Sequence, residues 1–378
     1  MVVCAFSPAG GLELYTWKLV AGLLDRGLRL TVFAEEGEPL RHPNLIVKRI
    51  EGVNSSGKSN KILQGREQIQ RALGAATDID ILHSQHYGID NADVVTFHNH
   101  TLRRLSDVGF SWERSLNDIK LKLSAAYQAR DKADQILCLS AKCLVFPSTA
   151  MQQDFYSHFP SLNQRAAPYV VARPGADLQD VSHKTGSEPD PFTFLFVGRG
   201  YRKKGLDVLL SACEILKNDG KNFQLLIAGL AEKPIDSIQL AMKGLQNHVR
   251  FLGFCTDMAA VYPRAQAAVL PSRVEPFGMA PIQAMRFGLV PIVSRVSGVS
   301  EVIEHGKTGL ILENQLSASE LAQLMSRLMS DPAKLAEMRS RARDTAVTFT
   351  WDKTVEATLQ AYDIALREKA GNPVLALQ

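Results

Sequence analysis

The sequence predicts an α/β protein with two domains, each built on a parallel sheet. In the second half, short apolar stretches alternate with helical stretches, an order typical of parallel sheets. The predicted strands there are residues 192–197, 224–228, 248–251, 267–270 and 290–294. With 378 residues, the chain exceeds what one hydrophobic core usually organises. A polar stretch rich in turn formers, 176–191, is the expected linker, so we predict domains at 1–175 and 192–351.

Composition excludes several classes of protein. The chain is 46% hydrophobic and 22% charged, and its net charge of +4 is too small to argue for nucleic-acid binding. Its start lacks the pattern of a signal peptide and no stretch has membrane-spanning length, so a cytoplasmic protein is expected. The five cysteines show no metal-ligand spacing and are expected to be buried free thiols.

The first domain opens with a strand, a glycine turn and a helix. Val2–Phe6 is a short apolar strand, and Leu12–Leu24 is a helix that precedes the strand Leu28–Phe33. Gly10 and Gly11 form the turn, where a missing Cβ lets the backbone approach a ligand and helix amides face anionic oxygen. A simple tight connection is the alternative role of this glycine pair.

Histidines follow two predicted strands of the first domain. His98 and His100 come after the apolar stretch 92–97, whereas His83 and His86 follow an earlier strand. A neutral imidazole at a strand end is suited to a hydrogen bond with a sugar hydroxyl. Of these histidines, His98 is the stronger candidate for ligand contact, and His100 is expected to be structural.

A cluster of cations follows the first strand of the second domain. Such a cluster is costly at a strand end unless an anion meets it. Arg199 offers a planar fork suited to phosphate, and Lys204 offers a compact point charge. Arg202 and Lys203 are expected to be solvated.

The segment 247–257 is a candidate for ligand binding. It precedes a helix predicted at Met258–Ala265. Main-chain amides and carbonyls near Phe254 could bind a ligand, as small-molecule sites often do with a few fixed polar groups. For the Phe254 ring itself, packing in the core is the alternative.

The most informative stretch is the turn between the strand 267–270 and a helix predicted at Met279–Phe287. It contains Glu275 at the carboxyl edge of the sheet, where open α/β sheets bind ligands. Phe277, Gly278 and Met279 follow at the opening of the helix, where backbone N–H groups and the helix dipole favour a phosphate.

These motifs resemble glycosyltransferase family 4, the retaining nucleotide-sugar enzymes of GT-B fold, whose signature is Glu-x7-Glu. The first position is Glu275 and the second is Gln283 in this chain. In the family, the first carboxylate contacts the donor sugar and the second binds the ribose hydroxyls. Gln283 keeps one acceptor oxygen and adds donors, so ribose contact would lose charge assistance.

The resemblance covers essentially the whole chain and implies an architecture and site roles. Two Rossmann-like domains would face each other across a cleft, with a helix near 352–370 returning to the first domain. Arg199, Lys204 and Glu275 would be catalytic together with His98, which would touch the donor sugar. The implied nucleotide-binding residues are Gly10, Gly11, Phe254, Phe277, Gly278, Met279 and Gln283. No metal or other cofactor is implied, because cations and helix amides would neutralise the diphosphate.

The predicted function is retaining transfer of a hexosyl group from a nucleoside-diphosphate sugar, such as UDP-glucose. The general appearance is similar to enzymes that build lipopolysaccharide cores, so the expected acceptor is a bacterial envelope glycan or glycolipid. The basic stretch 102–104 and a helix predicted at Ser115–Lys132 would suit peripheral contact with anionic lipid of the inner membrane. A solvated helix face is the alternative.

Two other classes of function stay open. A non-catalytic nucleotide-sugar sensor would explain Gln283 in place of glutamate. A nicotinamide dehydrogenase would need a glycine-rich first turn, but Ser7–Gly11 lacks the full G-x-G-x-x-G spacing, and Glu35 or Glu36 only roughly replaces the acidic ribose contact.

Overall fold

The computed structural model describes residues 1–8, 10–37, 40–50, 67–73, 79–89, 91–176 and 190–371. Two compact units are formed by the described residues of Met1–Gly175 with Trp351–Gln378 and by those of Ala176–Thr350. Most of the predicted linker, 177–189, lies outside the described residues. Each unit is a parallel sheet with helices, which confirms the prediction of two Rossmann-like domains.

The first unit is built on a seven-stranded sheet in the order β3-β2-β1-β4-β5-β6-β7, and every strand pair is parallel. The strands are β1 (Val2–Phe6), β2 (Leu30–Gly37), β3 (Leu45–Arg49), β4 (His83–Gln85), β5 (Val94–Thr96), β6 (Cys143–Phe146) and β7 (Tyr169–Val171). The chain proceeds from β1 to one edge and from β4 to the other. The order therefore reverses between β1 and β4, a position at which open sheets bind ligands.

Helices cover both faces of this sheet. They are α1 (Leu12–Asp25), α2 (67–73), α3 (Arg104–Asp107), α4 (Ser111–Leu123), α5 (Ala125–Ser140), α6 (Thr149–His158) and α7 (Ser161–Gln164). On one face Leu19 of α1 packs in a cluster with Val3 of β1. On the other face Phe155 of α6 packs with Leu144 of β6. Helices thus cover both faces of the sheet, as is usual for parallel sheets.

The second unit is built on a six-stranded parallel sheet in the order β10-β9-β8-β11-β12-β13. The strands are β8 (Phe192–Val197), β9 (Phe223–Ala228), β10 (Val249–Gly253), β11 (Ala267–Leu270), β12 (Val290–Ser294) and β13 (Leu310–Leu312). All five strands predicted for this domain are present, and β13 is added at the edge. Here the order reverses between β8 and β11.

The helices of the second unit also form two layers. They are α8 (Leu206–Asn218), α9 (Pro234–Lys243), α10 (Met279–Arg286), α11 (Ala318–Ser330) and α12 (Pro332–Val347). Alternate residues of β8 serve the two layers, because successive side chains of a strand point to opposite faces. Phe194 and Phe196 pack with Leu209 of α8, whereas Leu195 packs with Ala284 of α10.

The last helix, α13 (Trp351–Lys369), belongs to the first unit. Val355 and Tyr362 lie in the same apolar cluster as Leu23 of α1. The Thr354 hydroxyl donates to the carbonyl of Arg173 at 2.7 Å, which fixes the start of the helix near the end of β7. The helix therefore completes one helical layer of the first sheet.

Two predicted helices are wrong. The stretch Met258–Ala265 contains only a 3₁₀ turn at Tyr262–Arg264, because Pro263 lacks a backbone N–H and disfavours helical geometry in the residue before it. The stretch Ser115–Lys132 is divided between α4 and α5 at Ser124, whose backbone is extended (φ −90°, ψ 115°).

The cysteines are free, but not all of them are buried. Cys138, Cys143 and Cys213 are buried, Cys255 is half-buried and Cys4 is exposed. The expectation of buried thiols therefore fails at Cys4, whose side chain lies beside a carboxylate oxygen of Glu35 at 3.8 Å.

Candidate active site

The carboxyl edge of the second sheet gathers the predicted cations and the predicted acid. β8 leads into the turn that holds Arg199 and Lys204, and β11, which pairs with β8, leads into the loop that holds Glu275. β10, two strands from β8 in the sheet, ends at Gly253, just before Phe254. The reversal of strand order between β8 and β11 therefore brings these loops to one edge, where ligands of open α/β sheets bind.

Lys204 and Glu275 form an ion pair at this edge. The Lys204 ammonium donates to Oε2 of Glu275, and the two side chains are 21% and 8% exposed. Removing charges from water is costly unless they are paired, so each group compensates the other. Because an ammonium has three donors, Lys204 can hold Glu275 and bind a further anion at the same time.

Arg199 and Phe254 lie together at the surface of this edge. Arg199 is exposed, and the carbon of its guanidinium lies 5.8 Å from the centroid of the Phe254 ring. The Phe254 side chain is 62% exposed, so the alternative that it packs in the core is wrong. Arg202 and Lys203 of the same turn are exposed as well.

The loop that holds Glu275 is fixed by its main chain. The carbonyl of Glu275 accepts from the N–H of Gly298 at 3.1 Å, and the carbonyl of Phe277 accepts from Val299 at 2.6 Å. The Phe277 side chain is buried, so only its main chain could meet a ligand. Gly278 caps α10 in the left-handed region (φ 105°). The first N–H groups of α10, beginning at Met279, have no acceptor within the helix and suit an anion.

Gln283 lies in α10 and has a defined hydrogen-bond partner. Its Oε1 accepts from the hydroxyl of Tyr262 at 3.0 Å, and Tyr262 is buried. The Tyr262 ring also stacks on Phe287 with centroids 5.0 Å apart. Because this hydroxyl engages the amide oxygen, the orientation of the Gln283 amide is set, and its NH₂ donors are turned away from Tyr262.

In the first unit, the glycine turn after β1 opens α1. Gly10 has φ 102°, a conformation that side chains with a Cβ rarely adopt. Gly11 is the N-cap of α1, and a Cβ built there would meet nothing within 4 Å. The predicted backbone approach at this turn is thus sterically open.

His98 is held in one tautomer by a chain of buried polar groups. Its Nε2 lies 2.7 Å from Oε1 of Gln85, and the amide nitrogen of Gln85 lies 3.1 Å from Nε2 of His83. Nδ1 of His83 lies 2.9 Å from the hydroxyl of Tyr362 on α13. Since an amide oxygen only accepts, His98 carries its proton on Nε2 and keeps Nδ1 as an acceptor.

The same surroundings keep these imidazoles neutral. Burial, helped by the neighbouring imidazoles of His86 and His83, holds the pKa of His98 well below its usual range. Burial also lowers the pKa of His83 to about 3. A neutral His98 with Nδ1 as an acceptor can accept a hydrogen bond from a hydroxyl, which is the chemistry predicted for a sugar contact.

The loop after β5 depends on His86 and Asp134. Nδ1 of His86 accepts from the backbone N–H groups of His98 and Asn99 at 3.1 and 3.2 Å. Its Nε2 lies 3.0 Å from Oδ1 of Asp134, and both side chains are buried. His86 has a left-handed backbone (φ 55°), which is rare for a residue with a side chain and persists where the surroundings fix it.

His100 is structural, as expected, and belongs to a charged cluster. Its Nδ1 lies 2.8 Å from Oδ2 of Asp154, whose Oδ1 lies 3.2 Å from Nδ1 of His158. Nε2 of His158 lies 2.9 Å from Asp107. Hydrogen bonding to Asp154 raises the pKa of His158. Burial alone would raise the pKa of Asp154, but the bonds from His100 and His158 outweigh it and bring the value from 3.8 to about 2.

The three side chains Asp107, Asp154 and His158 also have ligand atoms within 4.8 Å of one another, the spacing of a metal site. However, each ring nitrogen of His158 faces a carboxylate, and Nε of Arg104 lies 3.7 Å from Asp154. A cation would have to displace these contacts of His158 beside a guanidinium. The residues therefore fit a charge-paired cluster better than a metal centre, and the expected absence of a metal stays a prediction.

Sequence reasoning missed several residues that orient the site. Arg273 and Asp207 form a two-bond ion pair beside the cation turn, and Tyr262 orients Gln283. Gln85 orients His98 in the first unit. Of these residues, only Arg273 carries a usable signal in the sequence, because it is a charged residue two positions before Glu275.

Known families match both halves of the chain. The model described as Glycosyltransferase Family 4 matches residues 9–180, and the one described as Glycosyl transferases group 1 matches residues 179–345. The chain therefore belongs to the glycosyltransferases of GT-B fold, and it is a glycosyltransferase enzyme.

Individual relatives agree with this assignment. The chain is 25% identical to a D-inositol 3-phosphate glycosyltransferase of Catenulispora acidiphila, with 97% of this chain and 93% of the relative covered. It is 26% identical to an alpha-maltose-1-phosphate synthase of Mycobacterium tuberculosis, with 64% and 68% covered.

Solved structures share the fold. WaaG, a glycosyltransferase involved in lipopolysaccharide biosynthesis, has a TM-score of 0.76 at 18% identity, with 96% of this chain and 98% of that chain covered. Anabaena HepE in complex with UDP and glucose has a TM-score of 0.66 at 18% identity, with 95% and 98% covered.

The charged cluster around Asp154 predicts a bell-shaped pH dependence of stability. Because the pKa of Asp154 is lowered on folding, this group stabilises the fold above pH 3.8, and the stabilisation is lost as the pH falls towards 2. Because the pKa of His158 is raised on folding, its stabilisation is lost as the pH rises through the folded pKa, which lies above 6.5. Thermal unfolding of the wild type and Asp154→Asn should therefore differ most between about pH 4 and pH 6.

The matched control is Asp107→Asn, which removes the more exposed carboxylate next to His158 and should have a smaller effect. A difference between the wild type and Asp154→Asn that stays constant from pH 2 to pH 8 would contradict the pairing.

Proposed function

We propose that the chain transfers a hexosyl group, with retention, from a UDP-sugar to a bacterial envelope glycan or glycolipid. The observation that carries the proposal is the Lys204–Glu275 pair, with Arg199 at the same sheet edge. This edge also presents an exposed aromatic ring and the start of α10. It therefore offers, within one unit, groups for phosphate, sugar and base.

Phosphate binding follows from the cations and the helix end. Arg199 is exposed, and its planar fork suits two phosphate oxygens. Lys204 can share its donors between Glu275 and a phosphate. The N–H groups at the start of α10 add partial positive charge. Together they would stabilise a departing diphosphate.

Retention is supported by the state of Glu275. A carboxylate that is buried and held by an ammonium is a poor nucleophile but a good acceptor for sugar hydroxyls. We therefore propose attack from the face that the diphosphate leaves. The bond between the anomeric carbon and the phosphate oxygen breaks, the acceptor oxygen bonds to that carbon on the same face, and the acceptor proton passes to the leaving phosphate.

Nucleoside recognition is assigned to Phe254 and Gln283. The exposed Phe254 ring beside Arg199 offers an apolar surface at the end of β10, next to main-chain groups that can read a base. The Gln283 amide, oriented by Tyr262, would donate to a ribose oxygen. We propose UDP as the nucleotide because HepE, which shares the fold, is solved with UDP and with UDP-glucose.

The first unit is assigned to sugar and acceptor contacts. His98, neutral with Nδ1 as an acceptor, is proposed to bind a sugar hydroxyl. The Gly10–Gly11 turn is proposed to approach the diphosphate through its backbone, because Gly10 has the required geometry and Gly11 is sterically open. No metal is required in this scheme, since cations and helix amides supply the positive charge.

Peripheral contact with the cytoplasmic face of the inner membrane is proposed through α4. Apolar side chains project from it at Trp112, Leu116, Ile119 and Leu123, and they are between 45% and 79% exposed. None of the residues of α4 is buried. None of the described helices combines the length and hydropathy needed to cross a bilayer, so this helix would lie at the surface.

The charges on α4 favour an anionic surface. Lys120 and Lys122 are exposed beside the apolar stripe, and both lie in the last turn of the helix. The opposite side is tied to the unit through Asn117, whose amide donates to the carbonyl of Leu105 at 2.9 Å. This arrangement presents lipophilic and cationic groups together, as interfacial helices do.

A non-catalytic nucleotide-sugar-binding protein is the second candidate, because Gln283 departs from the family glutamate. The preserved Lys204–Glu275 pair favours turnover instead. A dehydrogenase has no comparable support, because the chain belongs to the glycosyltransferases.

Turnover and its stereochemistry test the proposed reaction. The purified protein should release UDP from UDP-glucose, and NMR of the product should show an α-linkage, because UDP-glucose is an α-glucoside. Lys204→Ala and Arg199→Ala should each lose about 2–4 kcal/mol of transition-state stabilisation, or roughly 30- to 1000-fold in kcat/KM.

The matched control is Arg264→Ala, which removes an exposed arginine that precedes β11 at the other end of the strand. Its kcat/KM should be close to that of the wild type. Tight binding of UDP-glucose without release would support the sensor instead, release of GDP from GDP-mannose alone would reject UDP as the nucleotide, and NAD reduction would contradict the proposal.

Gln283→Glu should tighten UDP binding. The carboxylate would regain charge-assisted bonds to the ribose, worth about 1 kcal/mol, or roughly fivefold in Kd measured by calorimetry. The gain should be absent with the 2′,3′-dideoxy analogue of UDP. Equal gains with both nucleotides would show that the residue does not contact the ribose hydroxyls.

Vesicle binding tests the role of α4. Leu116→Ser/Ile119→Ser should lower sedimentation with vesicles of phosphatidylglycerol and phosphatidylcholine by about tenfold or more, because two large apolar groups no longer enter the interface. The matched control is Ile235→Ser/Ile238→Ser on α9, where the side chains are 54% and 55% exposed. Equal losses for both pairs would reject a specific role of α4.

A further inference from the structure

Arg273 is a buried arginine in the Glu275 loop, and it contacts the cation turn. Its side chain is 5% exposed, and its Nη1 and Nη2 donate to Oδ1 and Oδ2 of Asp207 at 2.9 and 2.7 Å. Nη1 also donates to the carbonyl of Arg202. Its own backbone N–H donates to the carbonyl of Lys203 at 3.0 Å. One residue therefore joins the Glu275 loop to the cation turn through its side chain and its main chain.

The positions of these contacts link them to the ion pair. Arg273 lies two residues before Glu275, and the carbonyls that it binds lie one and two residues before Lys204. Only one or two residues separate these carbonyls from Lys204. Fixing the carbonyls therefore restricts the positions that the Lys204 ammonium can reach. Asp207, in the first turn of α8, holds the guanidinium in place.

A second contact holds the same two segments together. Gly205 has φ 75°, and a Cβ built on it would lie 2.0 Å from the carbonyl oxygen of Pro271. The turn and the loop are therefore in backbone contact at a position that admits no side chain. The cation turn is therefore held against the Glu275 loop just before Lys204, by Arg273, and just after it, by the contact at Gly205.

We propose that Arg273, anchored by Asp207, is a positioning residue that sets Lys204 in the geometry needed to bind the donor diphosphate. The proposal rests on the proposed function, in which Lys204 binds this diphosphate. A guanidinium is required because it alone offers a planar fork for the carboxylate while a further N–H reaches a carbonyl. Arg273 itself does not touch the substrate in this scheme.

A double-mutant cycle separates positioning from general support of the fold. Calorimetric Kd values for UDP are measured with the wild type, Arg273→Lys, Lys204→Ala and the double variant. Arg273→Lys should weaken UDP binding about tenfold when Lys204 is present and less than about twofold when it is replaced, because the lost geometry then has no ammonium to place.

The matched control is Arg103→Lys in the first unit. Like Arg273, Arg103 donates two hydrogen bonds to one carboxylate and one to a carbonyl: two to Asp131 at 2.9 Å and one to the carbonyl of His158 at 2.9 Å. Its replacement should leave the Kd for UDP unchanged. Asp207→Asn, which keeps the carbonyl contacts of Arg273, should weaken UDP binding by about threefold, again only when Lys204 is present, and it serves if Arg273→Lys does not fold.

Equal weakening by Arg273→Lys with and without Lys204, or no weakening at all, would overturn the positioning role while leaving the proposed function intact. Failure of the wild type to bind UDP would overturn the proposed function itself, and the positioning role with it.

Discussion

The ion pair between Lys204 and Glu275 is the interaction on which the candidate site depends. Its two partners are 71 residues apart in sequence, and they meet because β8 and β11 are neighbours in the sheet. The Glu275 side chain is only 8% exposed, so its charge requires compensation at this point. The sheet topology, the close contact at Gly205 and the hydrogen bonds of Arg273 hold together the two loops that carry these groups.

This pairing also limits the chemistry of the site. Glu275 neutralises Lys204 in part, so in the proposed function a doubly charged diphosphate would need further positive charge from Arg199 and the start of α10. In the proposed reaction, such a site would stabilise the departing diphosphate, and Glu275 would accept hydrogen bonds from sugar hydroxyls.

Much of the fold could be predicted because buried parallel strands are continuous apolar stretches. All five strands predicted for the second unit are present, and strand ends placed Arg199, Lys204 and Glu275 at one edge. Helix boundaries were less predictable. The division of α4 from α5 at Ser124 has no strong local signal, whereas Pro263 was a signal against the helix predicted at Met258–Ala265.

Contacts between residues that are distant in the chain could not be predicted from the sequence. The tautomer of His98 depends on Gln85 and, through His83, on Tyr362, which lies on the last helix. The local pattern around His98 carries no information about these partners. For the same reason Arg273 could be seen as a charge near Glu275 but not as the link to the cation turn.

The most direct test of the central claim compares UDP with uridine by calorimetry, because the two ligands differ only in the diphosphate. The wild type should bind UDP at least about a hundredfold more tightly than uridine, and Arg199→Ala/Lys204→Ala should reduce this preference to a few-fold while leaving the uridine affinity unchanged. An undiminished preference for UDP in the double variant would contradict the account.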